Sequence, residues 1–451
     1  MSFETTLWTS VSGLFAAQRQ LEVAGHNIAN VNTPGYSRQR VELEPAAPIQ
    51  GFQVGRGDGQ VGGGVTIKDV IRMRNELTDS AYWTESGNAA GAQARAEVLQ
   101  RAEAVLGPVG HGVPEGLSKF WAAWDDLSLN ATDTAARQGV LDAGNELAGQ
   151  LRSATAQLDR LSSDVHNGIA ETVDSVNRLA RQAAELNQGI KQAITANQSP
   201  NDLMDQRDAV MDQLTQLTGG VVQSGDFGSK NLYVSNRPLV IGSDFETMQA
   251  VTGSPGGATW TIDGATVHSG GRLGALTDAL NTTLPGIQGD LDAFAVGLRN
   301  VINTGQTTGF DQDGNAGQAM FTGVSARDIA IKGALTTRGV AASATGAVAD
   351  AANALAIAGM RTTAAVGTDT LNQNIQALAG KLGGMSSSAQ HTASATKDVV
   401  DSISAQRTQE SSVSTDEELA NIVRFQHAYE ASAKVIQIVD ACLDTLVNLV
   451  R

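Results

Sequence analysis

Apolar residues return every three or four positions at both ends of the chain. Near the start, Leu7, Val11, Leu14, Leu21 and Ile28 fall on one line, with Gln18 and Gly25 filling its two remaining places, which predicts an amphipathic helix. At the other end Ile422, Phe425, Tyr429, Ser432, Ile436, Val439, Leu443, Leu446 and Val450 keep the same spacing without a slip. Beside that stripe runs a second, Val435, Val439, Cys442, Leu446 and Leu449. The apolar arc is therefore wider than a two-stranded seam needs and implies more than one neighbouring helix. Isolated helices of this kind are marginal in water, so both ends are expected to be loosely ordered in a monomer and to fold against neighbours on assembly.

The first helix has a marked stop. Asn27, Asn30 and Asn32 are poor interior helix residues, Thr33 is pushed towards extended backbone by Pro34, and Pro34 and Gly35 suit the centre of a type II turn. Tyr36 to Glu44 then reads as extended, and the glycine-rich stretch to Val65 and Ile67 points to a small β element. Helical spacing resumes over Met73–Leu106 and, beyond a break at Pro108 and Pro114, over Leu117–Leu129. Thr134–Asn197 has almost no breaker and predicts one long helix or a pair. After Pro200, Asn201 and Asp202 can cap a helix over Leu203–Leu217, which Gly219 and Gly220 close. Val221–Gly271 changes to short β-like runs between Gly, Pro and Asn. Leu273–Thr304 returns to helix, Gly309–Ala334 reads as irregular or β, and Ala347–Met360 is Ala-rich and fits no one pattern. Thr368–Ser404 is helical but expected to be loosened at Gly380, Gly383 and Gly384. The predicted fold is mainly α with a β-rich middle insert, elongated and multi-domain.

Composition narrows the function classes. With aromatic content of 4%, slender helices and Gly-rich β segments are favoured over one bulky core. A formal charge of -16 leaves little for a phosphate backbone or an anionic lipid surface to hold, so no nucleic-acid partner is expected. Cys442 is the one cysteine, which rules out intrachain disulfides. The first thirty residues lack the features of an ordinary secretory signal, and no run has the apolar length of a spanning helix, so membrane insertion is not expected.

Candidate chemistry is sparse. The run GDGQVG at 57–62 satisfies a glycine-rich phosphate fingerprint, but glycine and a β-like segment follow it where a helix is needed, so a β-turn is the better reading. Asp311, Asp313 and Asn315 gather oxygen atoms, yet Gly314 is misplaced for a calcium loop and no Glu closes it, which favours a polar turn. His26, His111, His166, His268, His391 and His427 are scattered, and Cys442 on its apolar stripe reads as packing. Arg424 and Lys434, near Glu418 and Glu430, read as a solvated helix face, with control of lateral register between subunits as the rival reading. No metal, cofactor or catalytic set is expected.

Two segments carry a resemblance. Residues 25–39, GHNIANVNTPGYSRQ, are similar to the N-terminal motif of flagellar rod, hook and hook-associated proteins, and the ending Gly35, Tyr36, Ser37, Arg38, Gln39 resembles the hook-associated protein 1 family in particular. Residues 421–436, NIVRFQHAYEASAKVI, are similar to the same group's terminal helix. Phe120–Leu127, Asn201–Leu214 and Gly309–Gly317 also resemble that family, while Val221–Gly271 resembles it least and suggests a reduced middle domain. The resemblance implies a terminal coiled-coil domain (1–35 with 410–451) that lines an axial channel. It also implies a long-helix domain (36–220 with 272–308 and 366–409, including a small β element near 36–70) and a β-rich or irregular middle domain (221–271 with 309–365). It implies a structural subunit, exported unfolded by the flagellar type III apparatus without a cleaved signal, that lies outside the cell at the hook-filament junction. Its implied partners are its own copies, the hook protein, hook-associated protein 3 and an export chaperone on the C-terminal helix. A rod or hook subunit is the near alternative, and a secreted wall hydrolase on axial-protein ends, which needs a catalytic carboxylate pair or a metal triad in its middle domain, is the distant one.

Overall fold

A computed structural model describes residues 3–47, 62–107, 112–252 and 258–450. The N-terminal pattern forms α1 (Phe3–Ala29), followed by the antiparallel strands β1 (Gln39–Pro45) and β2 (Val65–Arg72). Val41, Val70 and Ile67 of this ribbon close on Val23 of α1. The glycine-rich run at 57–62 lies, apart from Gly62, outside the described residues.

Four helices come next: α2 (Glu76–Glu103), α3 (Val113–Leu129), α4 (Thr134–Thr195) and α5 (Asn201–Thr218). Asn75 and Asp133 cap α2 and α4 by accepting from the N–H groups of Leu77 and Ala135. Pro114 does not break the chain. It stands in the first turn of α3, where its missing N–H costs nothing. The long breaker-free stretch is a single helix, not a pair; its 62 residues run about 90 Å at 1.5 Å each. Its length is supported by packing, since Leu147, Leu151, Leu158, Leu161, Val165, Val173, Val176 and Ile190 keep one face buried. Asn201 and Asp202 do not cap α5, whose side-chain cap is absent at Pro200; both side chains are used by the N-terminal segment instead.

The β-rich insert consists of two sheets. In one, β3 (Val221–Ser224), β4 (Lys230–Val234), β5 (Arg237–Ile241) and β6 (Asp244–Phe245) follow in order; in the other, β7 (Met248–Thr252), β8 (Ala258–Ile262) and β9 (Ala265–Val267) do the same. Ser235 with Asn236, and Asp263 with Gly264, have positive φ at both positions, as the tight turns of such meanders require. Leu232, Leu239, Trp260 and Ile262 are buried in the main core.

The chain then returns to helix as α6 (Gly271–Asp278) and α7 (Leu284–Thr308), joined by a π turn over Ala279–Thr283. Pro285 explains the wide turn, because a proline removes the N–H that a regular helix would use there. Short pairs β10 (Phe321–Thr322) with β11 (Ala330–Ile331), and β12 (Ala364–Val366) with β13 (Asp369–Thr370), flank α8 (Ala352–Gly359), so the Ala-rich stretch is helical in part. A capping box at Thr370 and Gln373 starts α9 (Leu371–Ser411), and α10 (Thr415–Val450) ends the fold. The expected loosening of α9 does not occur. It runs unbroken through Gly380, Gly383 and Gly384, where each glycine costs about 1 kcal/mol against alanine, because it lies along α2 and shares with it the small cluster of Ala96, Leu99, Ala389 and Ala393.

The bundle depends on one close crossing. Gly219 ends α5 with φ +62°, and a Cβ there would stand 2.6 Å from the backbone nitrogen of Gly271, at the head of α6. Glycine is needed for both the conformation and the approach. Gly219→Ala is expected to lose about 2 kcal/mol or more of stability, measured by urea unfolding of the body; an unchanged midpoint would contradict the crossing.

Candidate assembly interface and its polar anchor

Two of the asparagines that stop α1, Asn27 and Asn30, are bonded, each in its own way. Asn27 is buried; its Nδ2 donates to the Gln39 carbonyl at 2.9 Å, while its Oδ1 accepts from the Gln39 N–H at 2.9 Å and from the Tyr36 hydroxyl at 2.8 Å. Asn30 donates from Nδ2 back to the His26 carbonyl at 3.0 Å and accepts from the Thr33 hydroxyl at 3.2 Å. The predicted type II turn is present: Tyr36 N–H donates to the Thr33 carbonyl at 3.2 Å, and Gly35 has φ +79°. Asn32, Thr33, Pro34 and Gly35 lie exposed at its tip. Burial, with the nearby carboxylates of Asp202, Asp205 and Glu418, pushes the Tyr36 phenol well above its ordinary value, so it stays a hydrogen-bond donor.

Beyond the turn the segment docks on α5. Ser37 donates from its N–H (2.9 Å) and its hydroxyl (2.8 Å) to Asp205; Gln39 donates to Asp202 at 2.9 Å, and Asn201 donates to the Val70 carbonyl at 2.7 Å. Arg72 of β2 bridges Asp205 and Asp208 at 2.8 and 2.9 Å. Arg207 holds Asp208 from the other side at 2.8 Å, Arg74 holds Asp79, and Arg407 of α9 joins Asp79 (2.7 Å) to Asp212 (2.8 Å), which also accepts from the Trp83 indole at 2.7 Å. Four carboxylates thus meet four guanidinium groups where the N-terminal segment, α2, α5 and α9 converge. Burial acts to raise the Asp208 carboxyl, but Arg207, Arg72 and Arg74 together outweigh it and hold it below the usual carboxylate range. At Asp212 burial wins, and Arg407 and Trp83 offset it only in part, so that carboxyl is pushed up.

The two terminal helices lie against each other, and their direction is fixed at two points. A Cβ on Gly13 would stand 3.2 Å from the Ser432 hydroxyl, and Arg38, just past the end of α1, meets Glu417 and Glu418 at the start of α10. The pair is antiparallel. With equal rise along both helices, the first residues of α1 come level with Cys442 and the last turns of α10 pass beyond them. Of the predicted stripe on α1, Leu7, Val11, Leu14, Leu21 and Ile28 are half-buried; the fully buried positions are Ala16, Ala17, Val23, Ala24 and Asn27. On α10, Val439 is buried, Ile422, Phe425 and Ile436 are half-buried, and Tyr429, Leu443 and Leu446 are exposed. The Val450 side chain lies outside the described residues.

Large apolar groups beyond the predicted stripes stay open. Trp8 and Phe15, seven residues apart on α1, are 59% and 58% exposed, and Ile438 and Val447 of α10 are as open. Trp8 and Phe15 stand one position off the predicted seam, and their seven-residue spacing is the sequence signal that marks them. Of the α10 charges, Arg424, Glu430 and Lys434 are exposed as a solvated face requires, and Glu418 is the exception. Glu418 is buried against Arg38, whereas Arg424 lies over the Phe425 ring at 5.1 Å and bonds to Asn421, and Glu430 faces His427. In the acidic loop, Asp311 accepts from the N–H groups of Asp313 and Asn315, and Asp313 is paired with Arg338. Among the described residues no helix is long and apolar enough to cross a membrane.

Comparison with known proteins places this architecture. Residues 7–36 match the flagella basal body rod protein family, residues 405–449 the flagellar basal body rod FlgEFG protein C-terminal family, and residues 99–321, between them, the flagellar hook-associated protein FlgK helical domain. The flagellar hook-associated protein 1 of Bacillus subtilis is 28% identical, over 98% of this chain and 97% of its own. The chain carries the helical domain of the flagellar hook-associated protein FlgK. The flagellar hook-associated protein 1 of Escherichia coli is 29% identical over 69% of this chain, an alignment that spans 59% of the relative. The solved flagellar hook junction protein FlgK from Burkholderia pseudomallei has the same fold, with a TM-score of 0.62 at 17% identity over 75% of this chain. The homologues and the shared fold make the chain a structural protein of the flagellum that assembles with other flagellar components, and the helical domain at 99–321 distinguishes it from a rod subunit.

The charge cluster predicts an acid limb to stability. A carboxyl whose folded pKa is depressed stabilises the fold above its unfolded pKa, near 3.9, and that contribution is lost as pH falls through the folded value. Asp208→Asn is expected to cost about 3–5 kcal/mol at pH 7 and to flatten the loss of stability below about pH 4, measured by urea unfolding across pH. An acid limb as steep in the variant as in the parent would contradict the assignment.

Proposed function

We propose that this protein joins the flagellar hook to the filament and assembles there through its terminal helices. The observation that carries the reading is the open apolar surface of the α1–α10 pair: Trp8, Phe15, Ile438 and Leu446 stay exposed among the described residues, and a wide apolar arc calls for further helices. In this reading the assembly surface is the predicted set, Leu7, Val11, Leu14, Leu21 and Ile28 with Ile422, Phe425, Tyr429, Ile436, Val439, Leu443, Leu446 and Val450, extended by Trp8 and Phe15. The turn from Asn27 to Gln39 holds that surface on the body. The division into a terminal pair (1–35 with 410–451), a long-helix domain and a β-rich middle belongs to the same proposal.

The partners that follow are further copies of the chain in a ring or helical zone, the hook protein on one side and hook-associated protein 3 on the other. Before assembly, the exposed end of α10 suits an export chaperone, and delivery outside the cell by the type III apparatus needs no cleaved signal. No catalytic step, metal or cofactor enters the proposal. The helical domain and the relatives named for hook association support this reading over a wall hydrolase.

The test is a truncation. Deleting residues 422–451 leaves a soluble body but abolishes filament attachment, with filament subunits lost to the medium. Filaments of normal number and length on cells that carry the truncated subunit would contradict the proposal.

A further inference from the structure

The β-rich insert leaves and rejoins the helices through a narrow neck. Gly219 and Gly220 lead into β3, and Gly270 and Gly271 lead out to α6. The two sides of the neck touch: a Cβ on Gly219 would stand 2.8 Å from the Gly270 Cα, and the Ser269 hydroxyl donates to the Thr218 carbonyl at 3.0 Å. Gly219 and Gly271 have φ of +62° and +57°. A pair of glycines on each side is backbone that turns easily, so the neck by itself would let the insert swing.

Side-chain amides set its direction. Asn177 of α4 donates to the Met248 carbonyl at 3.0 Å and accepts from the Met248 N–H at 2.8 Å. Further along α4, the buried Asn187 donates to the carbonyls of Lys230 (2.9 Å) and Gly242 (2.7 Å) and accepts from the Lys230 N–H at 3.2 Å. Asn281, in the π turn, donates to the Ala258 carbonyl and accepts from the Ala258 N–H, both at 2.8 Å. Each amide thus exchanges both bonds with one backbone residue, as a neighbouring strand does in a hydrogen-bonded pair. Met248 and Lys230 belong to different sheets, so α4 stands in for a strand to both.

Two lines of attachment result. Along α4 come Asn177, the Arg181 guanidinium over the Phe245 ring at 5.6 Å, Asn187, and the Lys191 ammonium over the Phe227 ring at 5.6 Å. They follow one another over about 21 Å at 1.5 Å per residue. Off that line, Asn281 holds Ala258, and the Trp260 indole donates to the Thr277 hydroxyl at 2.9 Å. The first line alone would leave the insert free to roll about α4; the second removes that freedom.

We infer that Asn177, Asn187 and Asn281 are a latch that holds the insert against the helical body, and that without it the insert swings on its glycine neck while the helices stay folded. Latched, insert and body move as one piece. An amide suits the task because it offers a donor and an acceptor and brings no charge to desolvate. The latch belongs to the body and does not rest on the junction proposal, so its failure leaves the truncation test untouched.

The experiment is a spin-label distance measurement on the full-length chain. Cys442→Ser removes the native thiol, and nitroxides are attached at Ser163→Cys on α4 and Thr266→Cys on β9, both exposed positions. With the latch intact the distance distribution is single and narrow. Asn177→Ala with Asn281→Ala broadens it, and Asn177→Asp with Asn281→Asp, which keep the shape and the acceptor but lose the donor, broaden it too. Amide exchange of peptide 245–250 becomes about ten- to a hundredfold faster in the same chains, while α3 and residues 134–165 keep their rates. The inference is overturned by a broad distribution with the latch intact, by a narrow one in both altered chains, by unchanged exchange of 245–250, or by equal loss of protection in α3 and the insert.

Discussion

An antiparallel pair of helices can cover only the stripes that face each other. Because α1 and α10 carry apolar arcs wider than those stripes, their pairing leaves Trp8, Phe15, Ile438 and the last turns of α10 open to water. The offset between the helices adds to this, since the end of α10 runs past the first described residues of α1. Burial of apolar surface contributes on the order of 25 cal/mol per Å², so the uncovered faces are a store of association energy that one chain cannot use. In the proposed assembly, that incomplete pairing is what the terminal region offers to its neighbours.

A surface of this kind is useful only if it is presented in one orientation. The body supplies rigidity through a single helix of 62 residues and through α9 lying along α2, and the joint between body and ends is polar. Asn27 closes the turn, Ser37 and Gln39 dock it on α5, and the Asp79, Asp205, Asp208 and Asp212 cluster is matched by Arg72, Arg74, Arg207 and Arg407. Charge pairs with fixed geometry define a position more sharply than apolar contact does, because each bond is directional. The Arg38 contact extends the same chemistry to α10.

What the sequence made legible was local. The stripes from Leu7 to Ile28 and from Ile422 to Val439, the turn at Pro34 and Gly35, the helix stop at Gly219 and the alternating strands around Trp260 all follow from spacing or from one residue's conformational preference. Contacts across the chain were not legible. Arg38 and Glu418 are 380 positions apart, and nothing in either neighbourhood marks them as partners, so Glu418 read as one more solvated charge. Asn201 and Asp202 looked like helix caps because the local pattern allows it, yet both are taken up by the N-terminal segment. Packing overrode the local signal of Gly380, Gly383 and Gly384, and it merged one helix or two into one. The motif from Gly25 to Gln39 is a helix end and turn that Asn27, Asn30, Thr33, Gly35 and Tyr36 shape and that Ser37, Arg38 and Gln39 dock on the body.

The central claim is that the open faces of the terminal pair are covered by other subunits in the assembled flagellum. Hydroxyl-radical footprinting of Trp8 and Phe15, in the free subunit and in isolated hook-filament junctions, tests it most directly. Both side chains are predicted to label readily in the free subunit and to be strongly protected in the junction, while exposed groups of the body such as Phe227 keep their labelling. Equal labelling of Trp8 and Phe15 in the two states would contradict the account.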